Sequence, residues 1–577
     1  MCGIAACVRK DNAGAFVADA LERLAYRGYD SYGYHFYIDN REFNTGKNIG
    51  RFNREDSLID MKRQHGTAIC HTRWATNGEV STDNAHPVES MSGTLLVVHN
   101  GIFNLAEGDG LDTKWYIDKL YRRTKVLMPK ISDNFVEAAY KFAEGDNCLI
   151  IKEKDKDELW LVARGSKCLY ISDKGYIASD INTLSGYGKY CRKLSDGVWK
   201  IHAGQRRSYI TYSVADSRIK NRVSADVRYD RDRIVIPDGV AKQTTMLDEI
   251  NEQRELLTPD NITSYNMYDG LPRVHNNVFC LLGCGSSFNA ALFGEYCFGN
   301  LSGAVVFAKY ASEFNECSPE SNAHKVLISQ SGETKDILAL ISTSEWSPHT
   351  AITNNMSSTL ACSVPQTINM GAGPEFGVAA TKTFTMTCIR LLEMACNRNR
   401  AMSIKEILGG QPFKDALDVA LTCELPDISR YNRFLFLGKG INFPIVREGA
   451  LKMKEVSYIS SDAMPAAEIK HGPIALVDDD TLSIVVLGYG VLQEQVKQNI
   501  NEIHSRGGKT LTIGPSSLDI TIPLILEDEG SGDEEFIADA LQALLANIVL
   551  QRLAYHNAIA HGHDPNFPRN LAKSCTV

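Results

Sequence analysis

The second residue of the chain is its first candidate for chemistry. The sequence opens Met1-Cys2-Gly3-Ile4, and removal of Met1 is expected because the next side chain is small. Removal would leave a thiol and a free α-amine on one residue, with ordinary pKa values of about 8.5 and about 8. The amine can then take the proton of the thiol, directly or through a water, and activate the nucleophile without a histidine. The alternative is that Cys2 is a small apolar residue that happens to stand second.

Polar clusters in the first part of the chain supply groups that such a nucleophile needs when it attacks an amide. The Asn100 side-chain amide beside the Gly101 backbone N–H can donate two hydrogen bonds to a developing oxyanion. The Arg73 guanidinium can hold a substrate carboxylate in bidentate fashion, and the Asp112 carboxylate can hold a substrate ammonium. Each has a plainer interpretation, since Asn-Gly is a common turn and Arg73 a common surface charge. The motifs are Tyr26-Arg27-Gly28-Tyr29-Asp30-Ser31, His71-Thr72-Arg73-Trp74-Ala75-Thr76, Asn84-Ala85-His86-Pro87 and His99-Asn100-Gly101.

Two loops rich in Ser, Thr and Gly form a second candidate site. The apolar strand Val278–Leu282 is followed by Gly-Cys-Gly-Ser-Ser at 283–287, and Lys325–Ile328 by Ser-Gln-Ser-Gly-Glu-Thr at 329–334. Free N–H groups, the helix dipole and hydroxyl donors at a helix N-terminus suit a phosphate. Such residues can also be ordinary helix caps, but two loops on successive strands favour the phosphate. Neither loop is a Walker or GxGxxG motif, so a nucleotide is not indicated.

A predicted helix and the C-terminal tail add charged groups. Residues 448–455 read Glu-Gly-Ala-Leu-Lys-Met-Lys-Glu, and Lys452 and Glu455 share a helix face because they are three residues apart. From spacing alone, a surface ion pair is the plainer interpretation. The segment 468–473, Glu-Ile-Lys-His-Gly-Pro, and a tail that contains Lys573 follow.

The first motifs lie among short strands with a few helices. Alternating and β-branched patterns predict strands at Gly66–Cys70, Thr94–His99, Cys148–Glu153, Glu158–Ala163 and Gly175–Ala178. Helical periodicity predicts helices at Ala15–Leu24, Thr113–Arg123 and Asn134–Phe142. This mixture predicts a layered α/β domain built on antiparallel sheets.

From about residue 275 the pattern changes to strand, Gly-rich turn and helix, as in doubly wound α/β domains. Phe434–Leu437 with Gly438-Lys439-Gly440 repeats the first strand and turn, and Ser483–Leu487 with Gly488 repeats the second. A duplicated α/β architecture with a site between the copies is expected. The expected boundaries are 2–215 for the first domain, 216–245 for a polar linker, 246–415 and 416–560 for the two copies, and 561–577 for the tail.

The motifs of the first 215 residues, in their order, resemble a class II glutamine amidotransferase domain. That resemblance implies an N-terminal-nucleophile (Ntn) hydrolase αββα sandwich in which Cys2 attacks the side-chain amide of glutamine. It implies that Asn100 and Gly101 form the oxyanion hole. By the same resemblance Arg73, Thr76 and Asp112 bind glutamine, and Arg27 and Trp74 belong to an ammonia channel.

The remaining motifs resemble the isomerase half of the glutamine–fructose-6-phosphate aminotransferase family. They are Gly283–Ser287, Ser329–Thr334, Gly377–Lys382, Glu448–Lys452, Lys470–Pro473 and the tail Pro568–Ser574. The resemblance implies two sugar isomerase (SIS) domains and a sugar phosphate held by Ser286, Ser287, Ser329, Gln330, Ser331, Thr334 and Lys452.

In the family, the residue that matches His471 helps to open the sugar ring and reaches the site from the neighbouring subunit, which implies a homodimer or higher homo-oligomer. Lys573 is expected to form a Schiff base with the C2 carbonyl, and a lysine suits this role because desolvation frees its amine. Glu455 is expected to move a proton between C1 and C2. The implied reaction makes glucosamine 6-phosphate and glutamate from fructose 6-phosphate and glutamine.

Composition excludes several other classes. The chain has 577 residues, 61 basic and 70 acidic, a net charge of −9 and no basic block, so a nucleic-acid partner is not expected. Its 15 Cys lack paired spacing, which indicates neither a metal site nor a disulfide framework. Without a leader pattern or a run long enough to span a bilayer, a cytoplasmic enzyme with no membrane partner and no cofactor is expected.

Proteins of other classes would require different motifs. A different amidotransferase would need a pyrophosphate loop in its second half, which the sequence lacks. An isomerase-like deglycase would lack the glutaminase motifs around Cys2. A catalytically inactive sugar-phosphate-binding regulator remains open, although Cys2, Glu455, His471 and Lys573 are all present.

Overall fold

The structure is a computed structural model that divides into two compact units. The first unit is Met1–Gln243 with Ser574–Val577, and the second is Thr244–Lys573. The described residues are 2–38, 41–54, 66–103, 111–124, 133–165, 167–202, 209–215, 218–225, 227–230, 232–236, 244–262, 278–314, 323–342, 350–356, 358–516, 518–524 and 532–573.

The first unit contains an eight-stranded and a seven-stranded sheet, and the pairs described in both are antiparallel. In sheet order the first consists of β15 (Ile234–Val235), β11 (Tyr190–Lys193), β9 (Tyr170–Ser172), β10 (Tyr176–Ala178), β1 (Gly3–Lys10), β4 (Gly66–Arg73), β2 (Ser31–Ile38) and β3 (Arg41–Ile49). The second consists of β14 (Arg218–Ala225), β13 (Tyr209–Ala215), β12 (Gly197–His202), β8 (Glu158–Arg164), β7 (Asn147–Glu153), β6 (Leu95–Asn100) and β5 (Val88–Glu89).

Helices cover the outer faces of these sheets. Helix α1 (Ala13–Arg23) shares a core with the first sheet, while α2 (Asp112–Thr124) and α3 (Asp133–Phe142) share one with the second. A third core joins the inner faces of both sheets, since Ile4 of β1 and Ile150 of β7 belong to it. The layers are therefore helix, sheet, sheet, helix, which confirms the αββα expectation.

The expected linker at 216–245 is wrong over most of its described length. Arg218–Ala225 is strand β14 at the edge of the seven-stranded sheet, and Ile234–Val235 is β15 of the other. The edge strand resembles a linker in sequence because its outer residues face water: Asn221, Arg222 and Val223 are exposed. The apolar alternation that marks a half-buried strand is consequently absent.

The second unit contains two five-stranded parallel sheets with the same strand order. The first consists of β17 (Val305–Tyr310), β16 (Val278–Gly283), β18 (His324–Ile328), β19 (Thr350–Thr353) and β20 (Thr367–Asn369). The second consists of β22 (Ser460–Pro465), β21 (Arg433–Gly438), β23 (Thr481–Val486), β24 (Lys509–Gly514) and β25 (Ile520–Thr521). The identical order confirms the duplication. In each copy the strand order reverses between the strands that come first and third along the chain, β16 and β18 or β21 and β23, and such sheets bind ligands at this point.

The helices of this unit are α4 (Met246–Asn251), α5 (Gln253–Leu256), α6 (Ser286–Leu301), α7 (Lys335–Ser342), α8 (Thr359–Ser363), α9 (Lys382–Ala395), α10 (Arg398–Gly409), α11 (Gln411–Thr422), α12 (Asn442–Ser457), α13 (Gly490–His504) and α14 (Gly532–Ala560). The boundary expected between residues 415 and 416 falls inside α11, so it does not coincide with the end of an element. Helix α14 is long and apolar enough to cross a membrane, but 89% of its most apolar window is buried in the unit, as in a core helix.

Helix α12 packs closely on α14 at a glycine. A Cβ at Gly449 would lie 2.7 Å from Leu550 Cδ1 of α14 and 3.1 Å from Phe436 Cε1 of β21. The glycine therefore allows α12, which carries Lys452 and Glu455, to lie against the core.

We expect Gly449→Ala to lower the unfolding temperature of the second unit in calorimetry. The gain in helix propensity is about 1 kcal/mol, whereas overpacking of a filled core costs about 1–3 kcal/mol. Gly299→Ala in α6 is the matched control, because no atom lies within 4 Å of a Cβ at Gly299. A Gly449→Ala protein as stable as Gly299→Ala would contradict the packing described.

Candidate functional site

Cys2 lies beside the end of strand β6 in the first unit. Its backbone N–H donates to Asn100 Oδ1 at 3.3 Å, and its thiol donates to the Trp74 carbonyl at 3.5 Å. Burial raises the pKa of the Cys2 thiol. The structure thus brings the expected nucleophile and Asn100 together.

Gly101 follows Asn100 in a conformation that demands glycine. Its φ is +154°, and a Cβ would lie 2.1 Å from Asn147 Oδ1 and 2.6 Å from the Asp146 carbonyl. A side chain at this position would displace the start of β7, so the turn keeps the Gly101 N–H beside the Asn100 amide. This is the arrangement that an oxyanion hole requires.

Arg73 is buried at the end of β4 and is engaged with its own chain. Its guanidinium donates to the carbonyls of Asn77 at 2.5 Å, Gly78 at 3.3 Å and Glu79 at 3.0 Å. The loop that carries Thr76, which is exposed, is therefore held in place by Arg73. In this structure Arg73 shapes the glutamine-binding loop predicted from the sequence, and a direct grip on substrate stays a prediction.

Asp30, the residue before β2, supports the same loop, a role that sequence reasoning missed. The Ala75 N–H donates to Asp30 Oδ2 at 2.8 Å, and a Cβ at Gly28 would lie 2.5 Å from the Trp74 nitrogen. The motif that contains Gly28 and Asp30 thus positions the backbone of Trp74 and Ala75.

Asp112 is buried at the start of α2. Its carboxylate accepts hydrogen bonds from the Phe103 N–H at 3.0 Å, the Thr113 N–H at 2.7 Å and the Thr113 hydroxyl at 3.2 Å. Sequence reasoning placed Asp112 at the substrate ammonium, and a carboxylate with further lone pairs retains that capacity.

Three buried histidines of the sequence motifs pack beneath the Asn100 turn. The His71 and His86 rings stack with centroids 4.1 Å apart, His71 Nε2 lies 3.0 Å from the His99 carbonyl, and the His99 N–H donates to His86 Nδ1 at 3.2 Å. His99 Nε2 lies 2.7 Å from Asn147 Oδ1, the same atom that crowds Gly101. Burial lowers the pKa of all three, that of His71 to about 3, so they are neutral structural groups at neutral pH.

The two residues expected in an ammonia channel have local partners. Arg27 pairs with Asp180 at 3.1 Å and donates to the Tyr26 hydroxyl at 2.9 Å. The Trp74 ring meets the Tyr29 ring edge-on at 5.8 Å between centroids. These contacts fix both side chains within the first unit.

In the second unit, both Ser-rich loops lie where the strand order of the first sheet reverses. Ser286 and Ser287 open α6 after β16, and the other loop joins β18 to α7. Ser329 Oγ accepts from the Gly332 N–H at 3.1 Å and lies 2.8 Å from Thr334 Oγ1, which closes the loop into a cradle. Gln330 and Ser331 are partly exposed in this cradle, as a phosphate-binding role requires.

Ser286 differs from the expected phosphate-binding residue, because its hydroxyl already forms hydrogen bonds within the chain. It donates to Glu448 Oε1 at 2.8 Å and lies 3.3 Å from Lys452 Nζ. Asn289 donates to the other oxygen of Glu448 at 2.9 Å. Glu448 therefore ties the first copy to helix α12 of the second, which sequence reasoning did not anticipate.

Lys452 is not the surface ion pair that spacing suggested. It is 1% exposed and lies 3.2 Å from Glu448 Oε1 and 2.5 Å from Glu455 Oε2. Burial opposes its charge, but the two carboxylates outweigh burial and raise the pKa of Lys452. Burial also raises the pKa of Glu455, which lines an open cleft of about 430 Å³ together with Lys454, Tyr458, Ile459, Ser460, Arg569, Asn570 and Leu571.

Lys573 of the tail lies in a buried polar pocket of the same unit. Its ammonium forms a short ion pair with Glu375 and donates to the Gly377 carbonyl at 2.7 Å. Burial would raise the pKa of Glu375, but Lys573 and hydrogen bonds from Thr383 and Thr381 hold it at about 2. Neither Glu375 nor its neighbour Glu249 was found from sequence, although the motif from Gly377 onward was singled out.

His471 stands apart from these groups in this chain. It is exposed at the end of a short 3-10 helix, Ala466–His471. Among the described residues, no hydrogen bond or ion pair joins it to Glu455 or Lys573. In the same described part of the chain, no group of three or more His, Cys, Asp and Glu could hold a metal ion.

The buried histidines predict a pH dependence of stability. Burial lowers the pKa of His71 and of His35 to about 3, against an ordinary value of 6.5. Below pH 6.5 the unfolded chain binds protons at these histidines that the folded unit does not bind. The contribution of the neutral histidines to the free energy of unfolding is therefore fully present above pH 6.5 and is lost as the pH falls towards 3. At pH 5 the loss is about 2 kcal/mol for each histidine, and the unfolding temperature of the first unit should fall accordingly.

The matched variant is His35→Gln, which removes one titrating group. It should show a shallower fall in the unfolding temperature between pH 7 and pH 5 than the parent protein. An equal fall in the unfolding temperature of the two proteins would contradict the assignment of this pH dependence to buried histidines.

Comparison with known proteins connects both sites to one family. The SIS domain family matches residues 275–395 and 427–523, the two copies of the second unit. A glutamine–fructose-6-phosphate aminotransferase (isomerizing) of Bacteroides thetaiotaomicron is 32% identical over 624 residues, with 100% of both chains covered. The protein of the same name from Methanothermobacter thermautotrophicus is 30% identical, again with 100% of both chains covered.

A solved structure is also similar to the second unit. It is described as the C-terminal domain of glucosamine-fructose-6-phosphate aminotransferase from Francisella tularensis, and it is 28% identical. It covers 57% of this chain and 100% of its own, with a TM-score of 0.48. Its identity to these full-length relatives shows that the chain belongs to the family of isomerizing glutamine–fructose-6-phosphate aminotransferases.

Proposed function

We propose that the chain converts fructose 6-phosphate and L-glutamine to glucosamine 6-phosphate and L-glutamate, the entry into hexosamine synthesis. The observation that carries the proposal lies in the second unit. Glu455 lines the same open cleft as Asn570 and Leu571 of the tail, which stand three and two residues before Lys573. A ketose that spans a Schiff-base lysine and a carboxylate base would need this proximity.

In the first unit, Cys2 acts as the nucleophile of the glutaminase reaction. Once Met1 is removed, the α-amine of Cys2 takes the thiol proton, and the thiolate attacks the side-chain amide of glutamine. Asn100 and Gly101 stabilise the oxyanion, ammonia leaves, and water releases glutamate from the thioester. The 3.3 Å contact between the Cys2 nitrogen and Asn100 supports this arrangement, because it holds the amine and the oxyanion donor on one side of the thiol.

Glutamine itself needs partners for its α-carboxylate and α-ammonium. We assign the loop of Arg73 and Thr76 to the carboxylate and Asp112 to the ammonium. The burial of Arg73 and Asp112 supports selectivity for a zwitterion, because each charge is costly to leave unpaired once the site excludes water.

In the second unit, the two Ser-rich loops hold the phosphate. Ser287, Ser329, Gln330, Ser331 and Thr334 surround the cradle at the N-terminal ends of α6 and α7. The helix N–H groups favour the dianion there. Ser286 acts differently from the others, by connecting the cradle to Glu448 and Lys452.

The chemistry at the sugar then uses Lys573, Glu455 and Lys452 of this unit, together with a histidine that has no described contact with Glu455 or Lys573. Lys573 forms the Schiff base at C2, ammonia replaces it, and Glu455 moves a proton between C1 and C2. Burial raises the pKa of Glu455, which makes its carboxylate a stronger base than that of an exposed glutamate. Lys452 keeps Glu455 in place at 2.5 Å.

We assign ring opening to His471, contributed by a second copy of the chain. Its exposure on this chain, without a contact to Glu455 or Lys573 among the described residues, supports a homodimer. We further propose the cytoplasm as the location, because 15 Cys without paired spacing suit a reducing compartment.

Ammonia made at Cys2 has to reach the sugar before water protonates it, and we assign Arg27 and Trp74 to its path. The hydrogen bond from the Cys2 thiol to the Trp74 carbonyl at 3.5 Å supports the assignment of Trp74.

The experiment that tests the function is product analysis with fructose 6-phosphate and either glutamine or ammonium as nitrogen donor. We expect glucosamine 6-phosphate and glutamate in equal amounts from glutamine, and little amino sugar from modest ammonium. Cys2→Ala should lower glutamate release by at least about 100-fold, since the nucleophile is lost.

Cys362→Ala is the matched control, because this thiol is exposed and free in the second unit. It should leave both products unchanged. Glutamate release without amino sugar in the parent protein would contradict the sugar reaction, and tight binding of fructose 6-phosphate without turnover of either substrate would favour the inactive regulator.

A further inference from the structure

Glu375 is the most heavily hydrogen-bonded carboxylate around the sugar site, and the reaction proposed above does not use it. It is 5% exposed and stands in the loop before α9. Its Oε1 accepts from the Thr381 N–H at 3.0 Å, the Thr381 hydroxyl at 3.2 Å and the Thr383 N–H at 3.1 Å. Its Oε2 accepts from the Thr383 hydroxyl at 2.7 Å and from Lys573. Such a carboxylate is fixed in position and remains ionised.

The loop that follows Glu375 is fixed from its other side by helix α4. Glu249 Oε1 accepts from the Phe376 N–H at 2.5 Å, the Gly377 N–H at 3.0 Å and the Thr244 hydroxyl at 2.8 Å. A Cβ at Gly377 would lie 2.8 Å from Glu249 Oε2. The glycine lets the carboxylate approach the backbone whose carbonyl accepts from Lys573.

The tail is attached to the same two elements a few residues before Lys573. Asn566 Oδ1 accepts from the Met246 N–H at 2.7 Å, and the Asn566 carbonyl accepts from the Val378 N–H at 3.3 Å. The segment from Asn566 to Lys573 is therefore held at both ends against α4 and the loop 375–378.

Glu375 is the carboxylate in direct contact with the Lys573 ammonium. Burial raises the pKa of Glu249 on α4, to about 7, and that of Glu455 on α12, and the charge of Lys573 opposes this rise in both. Lys452, a second buried cation of this unit, is neutralised by Glu448 and Glu455.

We propose that Glu375 is a positioning residue for the reactive lysine. It holds the Lys573 ammonium in the site before the sugar binds, and this ion pair must open before the amine can attack C2. The inference rests on the proposed function and deepens it, because it assigns the group that prepares Lys573.

The covalent step balances without a further reactant. When the ion pair opens, the ammonium transfers one proton to the C2 carbonyl oxygen, and the nitrogen lone pair so freed forms a bond to C2 while the π electrons of the carbonyl move to the oxygen. A second proton then passes from the nitrogen to this oxygen, the C2–O bond breaks with release of water, and the nitrogen lone pair forms the second bond to C2. One proton stays on the nitrogen of the protonated imine, and Glu375 remains a carboxylate throughout.

The test is borohydride trapping of the imine formed with fructose 6-phosphate, measured between pH 5 and pH 10 in the full-length protein. The adduct is quantified on the tail peptide that carries Lys573. In Glu375→Gln the buried amine loses its anionic partner, so the pH of half-maximal trapping should fall by about one to three units. The maximal trapping rate should fall as well, because the lysine is less well held.

Two further variants separate positioning from general damage. Glu375→Asp keeps the charge but withdraws it by one methylene, so the maximal rate should fall while the midpoint shifts less than in Glu375→Gln. Glu393→Gln is the matched control, since Glu393 is a buried carboxylate on α9 paired with Arg390 at 2.6 Å. It should leave the midpoint unchanged.

The outcomes distinguish this inference from the proposed function. An adduct on Lys573 with the same pH midpoint in the parent and Glu375→Gln overturns the role of Glu375 alone, as does an equal shift in Glu393→Gln. No adduct in the parent protein while amino sugar still forms overturns the Schiff base and the inference with it. If Glu375→Gln does not fold, Glu375→Asp decides, and an unchanged rate and midpoint in that variant overturns the proposal.

Discussion

The second unit depends on a constraint set by one buried ammonium. Lys452 has almost no exposed surface, and an unpaired charge there would cost several kcal/mol. Glu448, four residues earlier on α12, and Glu455, three residues later, neutralise it, and Glu448 in turn accepts from Ser286 and Asn289 of α6. Because those partners belong to different copies of the duplicated fold, neutralising Lys452 also joins the two copies. The same network connects Ser286, in one of the two loops proposed to bind phosphate, with Lys452, which pairs with the proposed proton carrier Glu455.

In the first unit, neutral polar side chains pack around the turn at Asn100 and Gly101. The Asn100 turn rests on histidines that burial keeps uncharged at neutral pH. Asn147 contacts His99 and leaves no room for a side chain at Gly101. The motif residues without an assigned chemical role, such as His71 and His86, are explained by this packing.

Much of the fold could be predicted from sequence because its signals are local. The strands around Cys148–Glu153 and Glu158–Ala163 alternate or run apolar, and the Gly-rich turns after β16 and β21 mark the duplication. Strand β14 escaped prediction because an edge strand has one neighbour and exposed side chains, so its apolar pattern is weak. The long helix α14 escaped because it is apolar on all sides, which leaves no helical periodicity to recognise.

The sites were predictable only in part, for a related reason. Cys2 and Asn100 stand in short motifs whose residue types suggest their chemistry, whereas the spacing of Lys452 and Glu455 alone suggested a surface ion pair. Glu249, Glu375 and Glu448 act through partners more than 100 residues away in the chain. Spacing carries no information about such pairs, and only the folded unit brings them together. Ser286 illustrates the limit, because its loop was recognised while its partner was not.

The central claim is that one chain makes ammonia at Cys2 and uses it at Lys573. The most direct measurement supplies glutamine with a heavy-nitrogen label in its side-chain amide, together with fructose 6-phosphate and an excess of unlabelled ammonium. The account predicts that the glucosamine 6-phosphate carries the label, because the nitrogen does not mix with the solvent pool. Amino sugar with unlabelled nitrogen would contradict the account, since it would show that the two sites work through free ammonium.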